Sequence, residues 1–393
     1  ERSRYLSYSA NQWKPVDETV EWSDLPKELW PIVGKSLDNR IDVVRFRSIC
    51  KSWRCSIPLF HKDSPRFPLS IKPPSLLNRS HPLEPYLALS IVYRLEPTHD
   101  SQSPSTSSSR GWLMKVEETK SGQLRLLNPI SNRRDRYPSD NFPNVLNLME
   151  FGVVELAKAY SFKSVGRLSV SGISKVVLYP NSAWTDVSEC IAFAIYDEGK
   201  LGFLKVGNEE WKLVDDKNFY YDDIIVYKGH FYVVDNCGTI SWIDSSFLKL
   251  IQFSPPLCGF GNKKYLVESC GSLYVVDMYF EPRRRGRIRG RGFLLRQLDE
   301  VVHMIKVYKL DEEWGTWVDI KNMGDRVFIL AKDCNFSVSA QEFTGFQGNC
   351  IYFFDQCDIR VFNLEDSRLG TLAYFPACSK VFWPSPSLQL GST

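Results

Sequence analysis

The sequence lacks the features that mark membrane-spanning and nucleic-acid-binding proteins. No run approaches the roughly 18 consecutive apolar residues that a membrane-spanning helix requires. The 49 basic and 46 acidic residues leave a formal charge of only +3, too small to indicate nucleic acid or a membrane surface as a partner. Hydrophobic residues make up 43% of the 393-residue chain, a composition typical of a folded globular protein.

Cysteines are few and widely spaced. The chain has ten of them and no C-x-x-C pair, which is far from the density of a disulfide scaffold. Cys350 and Cys357 have no histidine at ligand spacing beside them, so the pattern does not favour a zinc site. We therefore expect no metal, and we expect the protein to work in a reducing compartment, the nucleus and/or the cytoplasm.

Catalytic motifs are also missing. Gly34-Lys35-Ser36 resembles the end of a phosphate-binding loop, but Leu29 stands where that motif needs its first glycine. There is no G-x-S-x-G elbow, and the five histidines stand in no triad or metal spacing. The acidic pairs 215–216 and 222–223 fall in turn-like contexts, which favour solvated caps over general acids. The sequence predicts a protein that is not an enzyme, with no catalytic residue and no cofactor.

A helical segment opens the chain. Ser23 or Asp24 can cap a first helix and Pro26 suits its first turn. Apolar residues then recur at helical spacing, at Leu25, Leu29, Ile32, Val33 and Leu37. Pro31 interrupts this pattern and predicts a kink or a restart. Asp42 can cap a second helix, whose apolar face holds Val43, Phe46, Ile49, Cys50 and Trp53.

So short a helical segment cannot bury enough surface to offset its own ordering entropy. Its apolar stripe must be covered either by the rest of the chain or by a separate protein. The identity of the residues decides between these two interpretations. Leu25-Pro26-x-Glu28-Leu29 opens the segment, and Ser48-Ile49-Cys50-Lys51-x-Trp53-Arg54 closes it. In order and spacing the segment resembles the F-box.

The resemblance implies a partner and a set of contact residues. F-box segments bind the Skp-family adaptor of a Skp–cullin–F-box ubiquitin ligase, and through it the cullin. The residues of this sequence that match the adaptor interface and the small core of the module are Leu25, Pro26, Leu29, Ile32, Leu37, Val43, Val44, Ile49, Cys50 and Trp53. Pro31 departs from the family pattern and puts the path of the first helix in question.

The remainder of the chain reads as strands and turns with an internal repeat. The segment 228–235, KGHFYVVD, is echoed by 270–277, CGSLYVVD, and more loosely by 347–355, QGNCIYFFD. Each copy is followed by another strand, at 239–244, 305–310 and 359–364. Segments 211–214 and 317–320, each beginning with tryptophan, resemble outer strands of such units. Gly229 and Gly271 stand 42 residues apart, a period that favours a β-propeller over unrelated hairpins in a sandwich.

The predicted fold is therefore mainly β, with a small α-helical F-box followed by a propeller of six or seven blades. The chain resembles a large plant family of F-box proteins with a C-terminal kelch-like propeller. Motifs that carry this likeness mark strand ends and blade turns, at 111–113, 126–129, 307–311, 324–327, 336–340 and 348–353. We assign residues 1–20 to an N-terminal extension, 21–60 to the F-box domain and 65–393 to the propeller.

Two polar segments interrupt the propeller pattern. Residues 98–111 form a Ser-rich loop that could be phosphorylated. Residues 282–297 form an Arg-rich loop, with Arg283, Arg284, Arg285, Arg287, Arg289 and Arg291 in one run. That run is either a solvated loop, a nuclear-import signal, an RNA-binding loop or a landing patch for an acidic partner. No aromatic residue interleaves with the arginines, which disfavours RNA.

The resemblance to this family implies a substrate-recognition subunit of a Skp–cullin–F-box ubiquitin ligase. The F-box would bind the adaptor, and the propeller would bind a target protein for ubiquitination and proteasomal degradation. The alternative is a scaffold outside any ligase, which would bind protein or RNA through the propeller and the Arg-rich loop. No membrane partner is expected.

Overall fold

The computed structural model describes residues 25–74, 85–97, 111–133, 151–164, 170–217, 220–244, 248–257, 259–282, 300–343, 345–355 and 358–371. Contacts divide the chain into two units, residues 1–61 and 62–393. The first unit contains three helices, α1 (Trp30–Lys35), α2 (Arg40–Ile49) and α3 (Lys51–Ser56). None of the helices in the described ranges has the length and apolar character needed to span a membrane.

The second unit is a β-propeller of five blades, each of which is one sheet. Blade 1 consists of β1 (Tyr86–Pro97), β2 (Trp112–Glu118), β3 (Leu124–Leu127) and β4 (Phe151–Lys163). Blade 2 consists of β5 (Ile173–Tyr179), β6 (Ile191–Tyr196), β7 (Lys200–Lys205) and β8 (Lys212–Leu213). Blade 3 consists of β9 (Tyr221–Tyr227), β10 (His230–Asp235), β11 (Ile240–Asp244) and β12 (Lys249–Gln252).

Blade 4 consists of β13 (Lys263–Ser269), β14 (Ser272–Pro282), β15 (Glu300–Asp311) and β16 (Thr316–Ile320). Blade 5 consists of β17 (Arg326–Leu330), β18 (Asn335–Ser339), β19 (Cys350–Asp355), β20 (Asp358–Asn363) and β21 (Leu369–Thr371). Five blades, and not six or seven, make up the ring. The number of blades predicted from the sequence was wrong. That number came from dividing the length of the region by the repeat period. The segments 98–110, 134–150 and 283–299 stand between strands of one blade and add length without adding a blade.

The inner strands of the five blades are β4, β5, β9, β13 and β18, which neighbour one another in a closed ring. In blades 2, 3 and 4 the strands follow chain order from the axis outward. Blade 1 is permuted, because its inner strand β4 comes last in the chain. Blade 5 is irregular, with the order β18-β17-β19-β20-β21 and parallel pairing between β17 and β19.

The repeat in the sequence is confirmed in blades 3 and 4. Lys228-Gly229 joins β9 to β10 and Cys270-Gly271 joins β13 to β14, each as a two-residue hairpin loop. All four residues have positive φ, between 47° and 79°. This is the backbone of a type I′ turn, in which glycine tolerates the left-handed conformation and matches the strand twist. The third copy of the repeat, 347–355, differs, because its strand β19 follows no such hairpin and pairs in parallel with β17.

The segments that begin with tryptophan do lie at blade edges, as the sequence predicts. β8 and β16 are the outermost strands of blades 2 and 4. The indole of Trp211, just before β8, donates to the carbonyl oxygen of Lys72 at 2.7 Å. Trp317 in β16 donates to the carbonyl oxygen of Pro255 at 3.1 Å. The recurring tryptophan thus anchors an outer strand to a neighbouring loop.

The family-like motifs occupy strand ends and turns. The Asn128 carboxamide accepts from the backbone N–H groups of Ile130 and Ser131 in the turn after β3. The Asn349 carboxamide accepts from the N–H of Met323 at 2.9 Å. A Cβ at Gly348 would lie 2.8 Å from the carbonyl oxygen of Gly324, so only glycine fits this close backbone approach. These residues are structural.

Hydrophobic packing connects every blade to the next. Five buried clusters lie between blades 1 and 2, 2 and 3, 3 and 4, 4 and 5, and 5 and 1. In the last of these, Val92 and Leu113 of blade 1 pack with Val327 and Tyr352 of blade 5. The ring is therefore closed by side-chain packing between neighbouring sheets, and each blade is built from a single stretch of chain.

Polar contacts complete the seam between blades 1 and 5. The Gly111 N–H donates to the carbonyl oxygen of Glu342 at 2.8 Å, and the approach is so close that a Cβ on Gly111 would lie 3.2 Å from that same oxygen. The buried Lys115 amine lies 2.6 Å from a carboxylate oxygen of Asp333. Asn132 donates to the other oxygen of Asp333 at 2.9 Å. A buried charge pair of this kind stays charged because each partner is neutralised and hydrogen-bonded.

Burial by itself lowers the pKa of the Lys115 amine, but the charge and hydrogen bond of Asp333, together with the charges of Cys334 and Glu117, more than offset this effect. The net pKa of Lys115 is raised, so the amine is cationic at neutral pH.

The acidic pair at 222–223 lies in strand β9 and not in a turn, which corrects the interpretation from sequence. The Asp223 carboxylate is buried and accepts from the backbone N–H of Leu266 in β13 at 2.8 Å. It also accepts from the side-chain amide of Asn335 in β18 at 2.6 Å, and it pairs with the Lys175 amine of β5 at 3.0 Å. One carboxylate thus connects four inner strands. Asp215 does lie in a turn, where it accepts from Lys217 N–H.

The seam pair gives a direct test of ring closure. Replacing Lys115 by Met should lower the free energy of unfolding by about 3–5 kcal/mol, because Asp333 is left buried without its cation. Urea-induced unfolding followed by tryptophan fluorescence measures the change.

Two further variants act as controls for this prediction. Lys321→Met removes an exposed partner of Asp319 and should change stability by under about 1 kcal/mol. The double variant Lys115→Met/Asp333→Asn should recover part of the loss. Equal stability of the Lys115→Met and Lys321→Met variants would contradict the assignment of Lys115–Asp333 as a closing contact.

Candidate protein-docking site

Helix α1 begins later than the sequence pattern suggests. Residues 27–29 form a turn in which the Leu29 N–H donates to the Pro26 carbonyl oxygen at 2.9 Å. The helix starts at Trp30 with Leu29 as its cap, which places Pro31 in the first turn. Proline is tolerated there because the first N–H groups of a helix have no partner within it. The expected interruption at Pro31 is therefore the start of the helix and not a kink.

Helix α2 is capped by Asn39 and not by Asp42. The Asn39 side chain accepts from the Asp42 N–H at 2.8 Å, which satisfies one of the unpaired N–H groups of the first turn. The Asp42 carboxylate in turn accepts from the Asn39 side-chain amide at 2.6 Å. Asp42 thus stands inside the first turn, where its negative charge interacts favourably with the helix dipole.

The predicted second helix is two helices. Cys50 is extended, with φ −157° and ψ 172°, and it ends α2 and caps α3. Its sulfur accepts from the Trp53 N–H at 3.5 Å. The helical spacing from Val43 to Trp53 concealed this break, because a short interruption leaves both flanking apolar residues facing the same core. Chain direction changes at Cys50, and Trp53 packs back on α2.

Aromatic rings form the core of the helical unit. The Phe46 and Trp53 ring centroids are 4.5 Å apart, and those of Trp30 and Trp53 are 6.0 Å apart. Gly34 of α1 lies against this core, where a Cβ would meet Ile57 at 2.4 Å. The glycine that resembled part of a phosphate loop is therefore required by close helix packing. The sequence analysis missed Trp30 as a core residue. It started the helix near Leu25, and with that start Trp30 does not fall on the apolar face.

Arg47 ties the end of α3 to α2. Its guanidinium donates to the carbonyl oxygen of Arg54 at 2.8 Å and to that of Ile57. The last carbonyl groups of a helix have no partner within it, so these contacts satisfy groups that would otherwise depend on water. The Arg54 guanidinium donates in return to the Arg47 carbonyl oxygen at 3.3 Å. The two contacts fix the angle between α2 and α3.

The ten residues predicted to contact the adaptor divide by exposure. Val43 and Trp53 are buried in the core of the unit, and they shape the surface from below. Leu25, Leu37 and Val44 are half-buried. Pro26, Leu29, Ile32, Ile49 and Cys50 are exposed. These last five could touch a partner without any rearrangement.

Large aliphatic side chains lie open to solvent on this small unit. The Ile32 side chain is 65% exposed and that of Ile49 is 61% exposed, and Leu29 and Leu59 are also exposed. Each such side chain gains about 1.5–3 kcal/mol when it is fully buried. The buried Trp30 indole N–H has no hydrogen-bond partner among the described residues, and an unpaired buried donor is unfavourable. The arrangement suits docking of another polypeptide.

The Ser-rich residues 98–110 and the arginines from Arg283 to Arg291 lie outside the described residues. So do Ser23 and Asp24, the first caps considered for α1.

Comparison with known proteins identifies the family of the propeller and relatives that match nearly the whole chain. A family model described as the KIB1-4 β-propeller matches residues 87–363. The F-box protein SKIP23 of Arabidopsis thaliana is 30% identical over 406 residues, which cover 93% of this chain and 95% of that protein. The F-box protein At4g35733 of the same plant is 30% identical over 392 residues, which cover 94% of this chain and 99% of that protein. The matching propeller family is KIB1-4, and the kelch-like designation stays a prediction.

The Arg47 contacts predict a local loss of protection in one variant. Arg47→Met keeps the aliphatic stem but removes both donated hydrogen bonds, which should cost about 1–3 kcal/mol. Amide hydrogen exchange of the full chain, resolved by mass spectrometry, should then be roughly 5- to 150-fold faster across 40–57. Lys51→Ala is the matched control, because Lys51 is exposed. The same exchange rate in both variants would refute the role given to Arg47.

Proposed function

Because the chain belongs to the KIB1-4 β-propeller family, and to the plant F-box proteins that carry this propeller, we propose that it is the substrate-recognition subunit of a Skp–cullin–F-box ubiquitin ligase. In this proposal the helical unit binds a Skp-family adaptor, and through it the cullin. The propeller binds a target protein and presents it for ubiquitination and degradation.

One observation carries the proposal. The helical unit leaves Ile32, Ile49 and Leu29 exposed, at positions that match the adaptor-contacting pattern of the F-box. Exposed aliphatic side chains in such a small unit are unfavourable unless a partner covers them. The relatives named F-box proteins align over nearly the whole chain, so the helical unit and the propeller occur together in them.

The proposed mechanism is positional and not catalytic. Holding a target beside a ubiquitin-charged enzyme raises the effective concentration of its lysines, so a receptor needs no nucleophile of its own. The propeller suits this task because blades closed by buried clusters hold the loops at the rim in fixed places. Rigid presentation matters because lysines that reach the thioester at the wrong angle are not modified.

We place this activity in the nucleus and/or the cytoplasm. The seven cysteines in the described ranges stand outside any disulfide bond, among them the buried Cys190 and Cys334. Cysteines that are kept as thiols agree with a reducing compartment.

The adaptor contact can be tested by charge substitution on the exposed residues. The double variant Ile32→Asp/Ile49→Asp should abolish the stoichiometric complex with a co-expressed Skp-family adaptor, because two carboxylates would be buried without partners. Affinity purification followed by size-exclusion chromatography measures the stoichiometry. Leu25→Ala/Pro26→Ala should have the same effect.

Lys35→Ala/Lys51→Ala is the matched control, since both lysines are exposed in the same unit, and it should leave the complex intact. Persistence of the complex at wild-type yield in the Ile32→Asp/Ile49→Asp variant would count against the proposal.

The consequence for targets is a second test. Proximity labelling in cells should recover target proteins with the wild-type chain only when the proteasome is inhibited. With the Ile32→Asp/Ile49→Asp chain the same proteins should be recovered without the inhibitor, because the propeller still binds them but delivers none to the ligase. Recovery that ignores both the inhibitor and the substitution would favour a scaffold outside any ligase.

A further inference from the structure

The inner strands of four blades begin around one cavity of the propeller, here called the axial cavity. Lys175, Asp222, Tyr265 and Asn335 stand near the starts of β5, β9, β13 and β18, and all four line it. The cavity has a volume of about 360 Å³, within the usual range of ligand sites. It therefore lies where four blades meet, on the face of the propeller at which these strands begin.

Four aromatic side chains line the axial cavity. Phe280 of β14 and Tyr265 of β13 belong to blade 4, and Phe353 and Phe354 of β19 belong to blade 5. The faces of aromatic rings carry partial negative charge. Such a wall accepts the apolar stem of a long side chain and also attracts a cation.

Three carboxylates give this part of the propeller a negative potential. Asp222 and Asp223 of β9 line the cavity, and so does Asp355 of β19. Burial first, and then the charges of Asp223, Asp222 and Asp355, raise the pKa of the Tyr265 hydroxyl. The hydroxyl therefore keeps its proton, and the three carboxylates make the potential beside it negative.

Lysines in the lining offset this charge only in part. The Lys175 amine pairs with Asp223 at 3.0 Å. The Lys263 amine lies 3.4 Å from Asp222, which is longer than a usual N–H···O hydrogen bond. Burial raises the pKa of Asp222 in spite of Lys263 and the Lys264 N–H. The charged form of Asp222 is thus incompletely stabilised, and a further cation beside it would be favourable.

One acceptor in the lining has no donor. The Asn335 side-chain amide donates to Asp223 at 2.6 Å and to the Leu266 carbonyl oxygen at 3.2 Å, which fixes its orientation. The Asn335 carboxamide oxygen is buried and has no hydrogen-bond partner in the described part of the chain. An unsatisfied buried acceptor is unfavourable, so the site favours a guest that brings N–H donors.

The lining suits an organic cation better than a metal ion. Within the described ranges, Asp222, Asp223 and Asp355 do not form a group close enough to share one ion. A guanidinium or ammonium group on an aliphatic stem instead presents several N–H donors and packs on aromatic rings. Arginine and lysine side chains have this chemistry.

The rim of the cavity suits a polypeptide partner. Phe260 is 92% exposed and Tyr220 is 63% exposed, and they stand shortly before β13 and β9. Exposed aromatic side chains are typical anchors of protein interfaces. Lys332, the third lysine of the lining, is exposed, so water and salt screen its charge.

We propose that the axial cavity binds a basic side chain, arginine or lysine, of the target protein. This inference rests on the proposed function, because it names the kind of target segment that the receptor selects. In the bound state the cationic group lies beside the Asp222 carboxylate, and its aliphatic stem packs on the rings of Phe280 and Phe353.

A peptide selection tests the inference. The probe is a random heptapeptide phage library, selected against the full chain in complex with its Skp-family adaptor. The enriched peptides should contain Arg or Lys. Synthetic copies with citrulline in place of that arginine, or norleucine in place of that lysine, keep the length of the side chain and lose its charge. They should bind at least about tenfold more weakly in fluorescence polarisation.

Two substitutions in the lining should shift the affinity in opposite directions. Asp222→Asn keeps an oxygen that accepts from the Lys264 N–H but removes the charge, and it should weaken binding of the basic peptides about five- to tenfold. Lys332→Met removes a competing cation and should tighten binding about two- to fivefold. Asp319→Asn is the matched control, because Asp319 is exposed on the outermost strand of blade 4, and it should change binding less than about twofold.

Thermal unfolding separates an effect on binding from an effect on folding. Lys332 is exposed, so Lys332→Met should keep the Tm of the wild-type chain. If Asp222→Asn lowers the Tm, the tighter binding expected of Lys332→Met decides the assignment without it. Neither a loss of structure nor a general loss of function produces tighter binding.

The outcomes separate this inference from the proposed function. Enrichment of acidic or uncharged peptides, enrichment of none, or basic peptides whose binding is unchanged or weakened by Lys332→Met would overturn the cavity assignment, even if the adaptor complex is intact. Loss of the adaptor complex, with basic peptides still bound by the free chain and bound more tightly by Lys332→Met, would instead overturn the ligase proposal and leave the cavity assignment standing.

Discussion

The buried carboxylate of Asp223 is the contact on which the propeller axis depends. It stands in blade 3 and holds a backbone amide of blade 4, a side-chain amide of blade 5 and an amine of blade 2. A buried carboxylate is stable only when its lone pairs are filled in this way. Because each blade of this propeller is a separate stretch of chain, such contacts between blades have to supplement the hydrophobic clusters.

The two units follow opposite physical rules. The propeller is large enough to bury its own apolar surface, and its five clusters are shared between neighbouring blades. The helical unit has only a few core rings, among them Phe46 and Trp53, and it leaves Ile32 and Ile49 in solvent. A small unit of this kind can be stable and still offer an apolar surface, because Arg47 and Asn39 satisfy the helix ends with hydrogen bonds. The proposed receptor function, which would connect two partners, needs this combination of a closed propeller and an incompletely covered helical unit.

Local signals in the sequence gave correct local structure where the chain repeats regularly. The glycines at 229 and 271 correctly predicted hairpins, because a type I′ turn requires positive φ and leaves its mark in the sequence. The helical spacing around Val43 and Phe46 correctly predicted a buried face. The break at Cys50 and the start of α1 at Trp30 were missed. Apolar spacing reports which side of the chain is buried, and it does not report where a short helix ends.

The sequence by itself determined the family, the helical F-box unit and the propeller class, because these depend on residue identity and on spacing along the chain. Tertiary structure alone decided the number of blades, the permuted strand order of blade 1 and the parallel strand pair in blade 5. Only the tertiary structure showed that the acidic pair at 222–223, expected to cap turns, makes contacts between blades. The physical reason is that these features depend on which strands meet across the ring, and partners more than 40 residues apart, such as Asp223 with Leu266 and Asn335, leave no periodic trace in the chain between them.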